Sequence, residues 1–513
     1  MVRPDGERRS FIAAAVMLGL LFYGLTCAPG VLWQDSATFQ YRVCHFQLRS
    51  NLGLALAHPL YILLAKAFSL IPVGNIAFRV NLFSAVCAAV SLGFVMDLVL
   101  SLTRSRIAAV TGTILIAVSH TFWRHAVMAE VYSLYAVGLL VELWLLERFF
   151  TSRRNRWLIL ALFINGLNVS NHLLALLHLP VYGGILAYAV HQQRLSLRKL
   201  PLLGLVFLIG MSPYLALIMT DLVRGQPFVA TVQSALFGNT FANKVLNTSI
   251  SPLSQCFRTI QFFALNFPTP IAWLAPVGAW WAWKDRKTRW FGLVGGGVFT
   301  IAFVFAFRYP VPDQYVFFFP CYILLPVFAA LVVPRLVGQS NGRKLVCLIL
   351  AALPIPAYEI GPTLLERWNL SIGGTRQLPY RNKYTYFIRP SKHGYDGAER
   401  FAREALAQAA PDGLLVADST IMNVLSFVRD VEGVHRGVSL ARTADVTPAE
   451  PAIRITRESI RNYVERHGAY LCTDAPGYVE DWLLTDYDRR QTGVIFQLRT
   501  RASQSRKDQA PSN

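Results

Sequence analysis

Long apolar segments separated by short basic loops are the feature that most constrains the fold of this chain. Many of these segments approach the roughly 20 residues that a helix needs to cross the hydrocarbon core of a bilayer. The composition agrees, because 54% of the residues are hydrophobic and only 15% are charged, against about 25% charged residues in soluble domains. Helices and closed barrels alone satisfy their backbone groups in lipid. The sequence therefore predicts an all-α polytopic membrane domain.

The distribution of basic residues predicts the topology. We predict eleven spanning helices, at 11–29, 76–102, 107–122, 126–146, 157–171, 173–190, 201–219, 266–283, 290–307, 314–333 and 345–360. The loops on the side of the N-terminus then hold 19 Lys or Arg and only 4 Asp or Glu, which is +15 of the total net charge of +20. Because basic loops stay in the cytoplasm, the N-terminus is expected there. The same rule explains the basic balance without a nucleic-acid partner.

Residues 57–72 are a short apolar segment that either spans the membrane or lies in its interface. If this segment spanned, every later basic loop would fall on the outer side. We therefore expect an interfacial helix. The first apolar segment lacks a convincing cleavage site, which favours a retained helix over a signal peptide. The long loop at 221–265 is expected outside, and loops of this length are often functional.

The composition changes after residue 360. A helical pattern at 394–411, a strand-like run at 413–419, a helix from Thr420 to Gly433, a helix at 454–465 and two more strands at 469–474 and 493–499 predict a small extracytoplasmic α/β domain. The predicted organisation is a membrane domain at 1–360, an α/β domain at 361–502 and a polar tail at 503–513. The compartment expected is the inner or plasma membrane of a bacterium.

Polar residues that are costly near a bilayer collect on the outer side of this topology. They are Asp35, His58, Arg79, Arg124, His125, Glu130, Asn171, His172, Arg308 and Asp313. Each has an ordinary structural explanation: His58 could cap a helix, Glu130 could favour a helix N-terminus, and Arg308 could pair with Asp313. Their convergence from at least five segments favours a functional site instead.

The chemistry of such a site is that of sugar transfer from a lipid-phosphate carrier. A carboxylate such as Asp35 can take a proton from an attacking hydroxyl, and cations can neutralise a departing phosphate. The sequence has no Walker-type phosphate loop. Its seven cysteines show no paired spacing. A transporter or flippase of lipid-linked glycans, and a non-catalytic membrane-anchored assembly protein, stay open as alternatives.

Several strings carry a resemblance to a known family. They include AHPLY at 57–61, FSLIPVGNIAFRVNLFSAV at 68–86, TFWRHAVMAEVYSLYA at 121–136, PDQYVFFFPCYILL at 312–325 and YFIRPSKHGYDGAERFA at 386–402, with Asp-Ser at 35–36 and ADST at 417–420. These resemble the GT-C superfamily of membrane glycosyltransferases, and within it the protein O-mannosyltransferase branch formerly labelled a domain of unknown function. Two departures are Ala37 and Thr38 in place of a second acid, and Leu60-Tyr61 directly after His58-Pro59.

The resemblance implies an inverting transferase that moves mannose or a related sugar from a polyprenyl-phosphate donor to a hydroxyl acceptor. Asp35 would be the catalytic base. The donor and substrate site would include His58, Arg79, Arg124, Glu130, His172, Arg308 and Asp313. The expected partners are membrane lipid, the polyprenyl-phosphate-linked sugar and an acceptor protein or glycan. No cofactor is indicated, and a divalent metal is compatible with the superfamily although no clear ligand spacing appears.

Overall fold

The computed structural model describes residues 5–239, 245, 251–370, 376–443, 453 and 455–501. The first nineteen α-helices belong to the apolar part of the chain. They are α1 (Asp5–Thr26), α2 (Asp35–His45), α3 (Pro59–Phe68), α4 (Ile76–Thr103), α5 (Arg106–Ala117), α6 (His120–Ala126), α7 (Tyr132–Ser152), α8 (Arg156–Asn171), α9 (Leu179–His191), α10 (Leu200–Gly210), α11 (Ser212–Val223), α12 (Phe228–Phe237), α13 (Pro252–Asn266), α14 (Ala275–Lys284), α15 (Arg289–Phe307), α16 (Gln314–Phe317), α17 (Phe319–Val337), α18 (Asn341–Ala352) and α19 (Pro354–Arg367).

Five helical segments within the described ranges are long and apolar enough to cross a membrane: Gly6–Thr26, Ile76–Thr103, Leu173–His191, Arg289–Phe307 and Phe319–Val337. Three bent helix pairs raise this number to as many as eight: α5 with α6, the segment Leu197–Gly210 with α11, and α18 with α19. The bends at these breaks are 69°, 80° and 41°. This part of the chain is therefore an integral membrane domain.

The predicted number of eleven spans exceeds these five to eight, although a helix covers each predicted segment. The three segments that do not qualify are 126–146, 157–171 and 266–283. Helix α7 carries three charged residues, Glu142, Glu147 and Arg148. Helices α8 and α14 contain only 16 and 10 residues. A helix rises about 1.5 Å per residue, so 16 residues cover about 24 Å of the roughly 30 Å core.

The interfacial segment is short, as expected. A 3₁₀ turn at Leu54–Leu56 leads into α3, which has 10 residues. About 15 Å of helix does not cross a bilayer. The long region at 221–265 differs from the predicted loop, because α12 and α13 occupy much of it.

A buried polar network explains the polar residues that interrupt the apolar run at 157–190. Glu142 of α7 accepts hydrogen bonds from Asn165 (3.1 Å), Asn168 (3.3 Å) and Tyr182 (3.2 Å), and its carboxylate lies 2.9 Å from Nδ1 of His178. These partners compensate the burial of a carboxylate, which alone is expensive in a membrane. Helices α8 and α10 pack closely beside the network, since a Cβ on Gly166 would lie 2.2 Å from the Phe207 carbonyl oxygen.

The C-terminal part contains a five-stranded mixed sheet. Its strands are β1 (Leu414–Ala417), β2 (Ser439–Arg442), β3 (Ala469–Leu471), β4 (Tyr487–Thr492) and β5 (Ile495–Thr500), in the order β2-β1-β3-β5-β4. Strands β2, β1 and β3 are parallel, and β5 joins β3 and β4 antiparallel. Helices α20 (Lys383–Ile388), α21 (Gly397–Gln408), α22 (Ser419–Ser426), α23 (Arg457–Arg466) and α24 (Asp481–Asp486) complete the α/β unit.

The predicted segments correspond to strands β1, β3 and β5 and to helices α21, α22 and α23. Strands β2 and β4 were not predicted. Strand β4 reads YDRRQT and lies at the edge of the sheet, with four consecutive exposed residues. An exposed edge strand has no apolar alternation to reveal it. The predicted tail at 503–513 and much of 444–452 lie outside the described residues.

Candidate active site

Asp35 begins α2, directly after the loop that leaves α1. Its side chain is solvent-accessible and yet surrounded by protein, as expected for a group that lines a cavity. This partial desolvation raises the pKa of the Asp35 carboxyl above its ordinary value, and the Arg442 guanidinium opposes that rise. A raised pKa brings a carboxylate closer to the range in which a general base is effective.

Two more carboxylates lie near Asp35. Burial raises the pKa of Glu130, and the charge of Asp35 raises it further. Burial and the charge of Asp35 likewise raise the pKa of Asp313 to about 6. Three acids from three distant parts of the chain therefore share one electrostatic site, as the convergence of polar residues predicted. Tyr132 also lies within reach of all three charges.

Arg124 supplies positive charge next to these acids. It lies on α6, and its charge acts on Glu130. The guanidinium also interacts with the Tyr315 hydroxyl. Its Nη1 donates to the Tyr386 carbonyl oxygen at 2.8 Å. Arg124 therefore joins the acids to the segment that follows the last apolar helix.

His58 and His172 form an aromatic stack beside the acids. Their ring centroids are 5.1 Å apart, and the His172 ring lies 5.1 Å from that of Tyr132. Nδ1 of His58 bonds the Asn171 carbonyl oxygen at 2.7 Å, and burial lowers the pKa of His58 to about 4. His58 is therefore neutral near pH 7. His172 accepts a hydrogen bond from the Leu174 backbone N–H at 3.1 Å and so caps the 3₁₀ turn that follows it. The side chain of His58, for which a capping role was considered from the sequence, forms no cap hydrogen bond at the start of α3.

Two predicted site residues have other positions. Arg79 donates to the carbonyl oxygens of Val73 (3.2 Å), Ser69 (3.1 Å) and Gly74 (3.0 Å), and so fixes the turn after α3. Three of its five N–H groups are bonded in this turn, and its assignment to the donor site stays a prediction. Arg308 follows the end of α15 and is half-buried. Among the described residues it forms no ion pair with Asp313, and no contact assigns it a role in the site.

Asn81 of α4 holds the loops that carry the acids, and sequence reasoning missed it. Its side chain donates to the carbonyl oxygens of Ala28 (3.0 Å) and Gly30 (2.9 Å) in the loop before Asp35. The same amide accepts from the Ala129 backbone N–H at 2.9 Å, one residue before Glu130. One buried amide therefore sets the separation of the two acidic loops. The sequence signal that could have identified Asn81 is the presence of an Asn inside an apolar helix.

The α/β unit closes over the Asp35 loop. The Gln34 backbone N–H donates to the Thr420 carbonyl oxygen at 3.2 Å, and Asn423 donates to the Thr38 hydroxyl. Tyr41 donates to Asp430 at 3.2 Å. Arg442, at the end of β2, acts on Asp35 from the same unit. Because β2 was not predicted, the approach of Arg442 to the site could not be inferred from the sequence.

No three His, Cys, Asp or Glu side chains within the described ranges are arranged to hold a metal ion.

Comparison with solved structures identifies the fold. The crystal structure of ArnT from Cupriavidus metallidurans bound to undecaprenyl phosphate matches with a TM-score of 0.61 and 14% identity, over 96% of this chain and 98% of that one. The apo form of the same protein matches with a TM-score of 0.59 over the same shares. The chain has the GT-C fold of membrane glycosyltransferases, as predicted.

Sequence comparison shows which branch the chain resembles. Residues 51–196 match the model of the Protein O-mannosyl-transferase TMEM260 N-terminal domain. The mouse (Mus musculus) Protein O-mannosyl-transferase TMEM260 is 26% identical over 415 residues, which is 75% of this chain and 56% of the mouse protein. The chain thus spans little more than half the length of this relative. The resemblance to the O-mannosyltransferase branch of the GT-C superfamily is confirmed.

Proposed function

We propose that the protein transfers a sugar, mannose or a close relative, from a polyprenyl phosphate to a hydroxyl acceptor such as a protein Ser or Thr. The observation that carries this proposal is the meeting of Asp35, Glu130 and Asp313 with Arg124 beside the interfacial helix α3. The matched relative is named for O-mannosyl transfer, and ArnT binds undecaprenyl phosphate. The first name supports transfer of mannose to a hydroxyl, and the ArnT complex supports a lipid-phosphate donor.

The reaction is a single displacement with inversion. The acceptor oxygen attacks the anomeric carbon while its proton passes to the Asp35 carboxylate. The bond between the anomeric carbon and the phosphate oxygen breaks, and its electron pair leaves with the phosphate. Positive charge near that oxygen lowers the barrier because negative charge develops there.

The surrounding residues have distinct roles in this reaction. Arg124 neutralises the departing phosphate, and Arg442 keeps Asp35 ionised before it takes the proton. Glu130 and Asp313 accept hydrogen bonds from sugar hydroxyls. His58 and His172 are neutral imidazoles that present a flat face next to Tyr132.

The basic loops support an orientation with the N-terminus in the cytoplasm. The site and the α/β unit then lie on the extracytoplasmic side, where a polyprenyl-phosphate sugar replaces a nucleotide sugar as donor. Exposed apolar residues Leu64, Leu70 and Ile71 on and after α3 offer a surface for the carrier chain.

The test is an assay of purified protein with radiolabelled polyprenyl-phosphate mannose and a panel of acceptor peptides and glycans. The Asp35→Asn variant keeps the size of the side chain and removes the base. We expect at least a 100-fold loss of turnover, within the contribution of about 10²–10⁴ that a general base makes.

Asp285→Asn is the matched control, because Asp285 lies in the turn between α14 and α15 on the opposite, basic side. It should keep full turnover. Undiminished transfer by Asp35→Asn would refute its role as base. Movement of the carrier lipid without any sugar transfer would point to the flippase alternative.

A further inference from the structure

A cationic cavity lies between the end of the membrane domain and the sheet. Its volume is about 510 Å³, and it is lined by Gln377, Leu378, Tyr380, Arg381, Asn382, Thr385, Tyr386, Arg389, Ser391, Lys392, His393, Gly394 and Tyr395. Three of these residues are Arg or Lys, and the lining includes no Asp or Glu. Asp35, Glu130 and Asp313 are therefore not among the lining residues, although Arg124, which acts on Glu130, lies over the Tyr386 ring.

Two of the cations are buried without a carboxylate. Lys392 is 2% exposed and Arg381 is 6% exposed. Nζ of Lys392 donates to the carbonyl oxygens of Arg389 at 2.6 Å and Pro390 at 3.4 Å, and Arg381 donates to that of Arg376. Of the three Arg and Lys residues in the lining, Arg389 alone forms an ion pair with an acid of the described ranges, Glu359, at 2.9 Å. Burying an ion without a counter-ion costs several kcal/mol.

The cations also repel one another. Burial lowers the pKa of Lys392 well below its ordinary value, and the charges of Arg124, Arg381 and Arg389 lower it further. The cations are grouped around the Tyr386 ring. Its centroid lies 5.1 Å from Cζ of Arg124, 4.7 Å from Cζ of Arg381 and 5.0 Å from Nζ of Lys392. A bound anion would relieve this repulsion.

Two of the lining residues also carry donors without a partner. The Tyr386 hydroxyl and Nε of Arg381 are buried and have no hydrogen-bond partner among the described residues. Tyr386 is only 3% exposed. Buried polar groups in proteins are normally bonded, so both groups are available to a ligand oxygen.

The cavity lies where helices leave the membrane. The Lys392 backbone N–H donates to the Thr26 carbonyl oxygen at 2.9 Å, and Nδ1 of His393 bonds that of Leu25 at 2.7 Å, at the end of α1. Glu359, the partner of Arg389, lies on α19. Apolar side chains beside it are open, with Leu25 61% and Ile360 56% exposed. This is the level at which lipid headgroups meet the protein.

We propose that this cavity binds the phosphate group of a membrane lipid. Arg and Lys are the usual partners of phosphate oxygens, and the open apolar residues Leu25 and Ile360 provide contact for acyl or prenyl chains. The lipid is either the polyprenyl carrier or an ordinary anionic phospholipid. For the polyprenyl carrier the inference rests on the proposed function, whereas binding of an ordinary phospholipid does not require the transfer reaction.

The experiment measures lipid binding to the full chain in phosphatidylcholine nanodiscs by native mass spectrometry. Three probes are titrated separately: inorganic phosphate, phosphatidylglycerol and a polyprenyl monophosphate. We expect saturable binding of at least one lipid probe, weakened at least tenfold by Arg381→Gln and by Lys392→Gln. Stronger binding of the polyprenyl probe identifies the carrier, whereas equal or stronger binding of phosphatidylglycerol identifies ordinary phospholipid.

Lys383→Gln is the matched control, since Lys383 lies two residues after Arg381, at the start of α20, carries the same charge and is not part of the lining. Arg381→Lys keeps the charge and should retain most of the binding, which separates loss of an anion site from loss of folding. Thermal unfolding of each variant verifies that it is folded. The proposal is overturned if neither lipid binds saturably, if inorganic phosphate alone binds, or if Arg381→Gln binds lipid as the wild type does.

Discussion

Asn81 offers the most direct test of how the fold positions the acids. Its amide is fully buried and forms four hydrogen bonds: with Gln40 (2.9 Å), with the carbonyl oxygens of Ala28 and Gly30, and with the Ala129 N–H. In the Asn81→Ala variant these partners lose their bonds. At about 1 kcal/mol per bond, the expected loss in free energy of unfolding is about 4 kcal/mol.

The matched control is Asn75→Ala, at the N-cap of the same helix. Asn75 accepts from the Phe78 N–H at 2.7 Å and donates to the Pro29 carbonyl oxygen at 3.0 Å, both at the surface. Loss of such a cap costs about 1 kcal/mol. Unfolding is followed by circular dichroism in mixed micelles during a denaturing-detergent titration.

Turnover is measured on the same samples below the unfolding transition. We expect Asn81→Ala to reduce kcat at least tenfold, because the loops before Asp35 and Glu130 lose their common support, and Asn75→Ala to leave it unchanged. The reasoning fails if Asn81→Ala is no less stable than Asn75→Ala, or if it is destabilised and still turns over normally.

Two predictions concern titration. Arg442 lowers the pKa of Asp35, so Arg442→Gln should shift the acidic limb of the pH–rate profile to higher pH; an unmoved limb would show that Arg442 does not act on the base. The pKa of Asp313 is raised from 3.8 to about 6 in the folded protein. Its folded form therefore binds a proton more tightly, and ionisation costs stability as pH rises from about 4 to 6. Asp313→Asn should remove this loss of stability with rising pH, whereas the control Asp285→Asn should keep it. Thermal unfolding of both variants is measured across this pH range. If Asp313→Asn loses stability between pH 4 and 6 as the control does, the raised pKa of Asp313 is contradicted.

The membrane helices and much of the α/β unit could be predicted because apolar runs and strand patterns are local properties of the sequence. The grouping of Asp35, Glu130 and Asp313 was also predictable, since loop charge places all three on one side. The role of Arg79 was not, because its three carbonyl partners belong to a turn whose shape is set by packing. Arg442 could not be assigned either, since its approach to Asp35 depends on how the sheet sits against α2.

The contacts between the α/β unit and the Asp35 loop have a consequence for how chains of this fold can be dissected. The backbone of Gln34 is bonded to Thr420, and Tyr41 to Asp430, so Asp35, the proposed base, lies on a surface shared by residues almost 400 positions apart. Residue 360 is thus a boundary of composition and not of function. A chain truncated at residue 360 would lack the α/β residues that pack against the Asp35 loop. Exchange of the α/β unit between relatives would change the environment of Asp35 along with any acceptor preference.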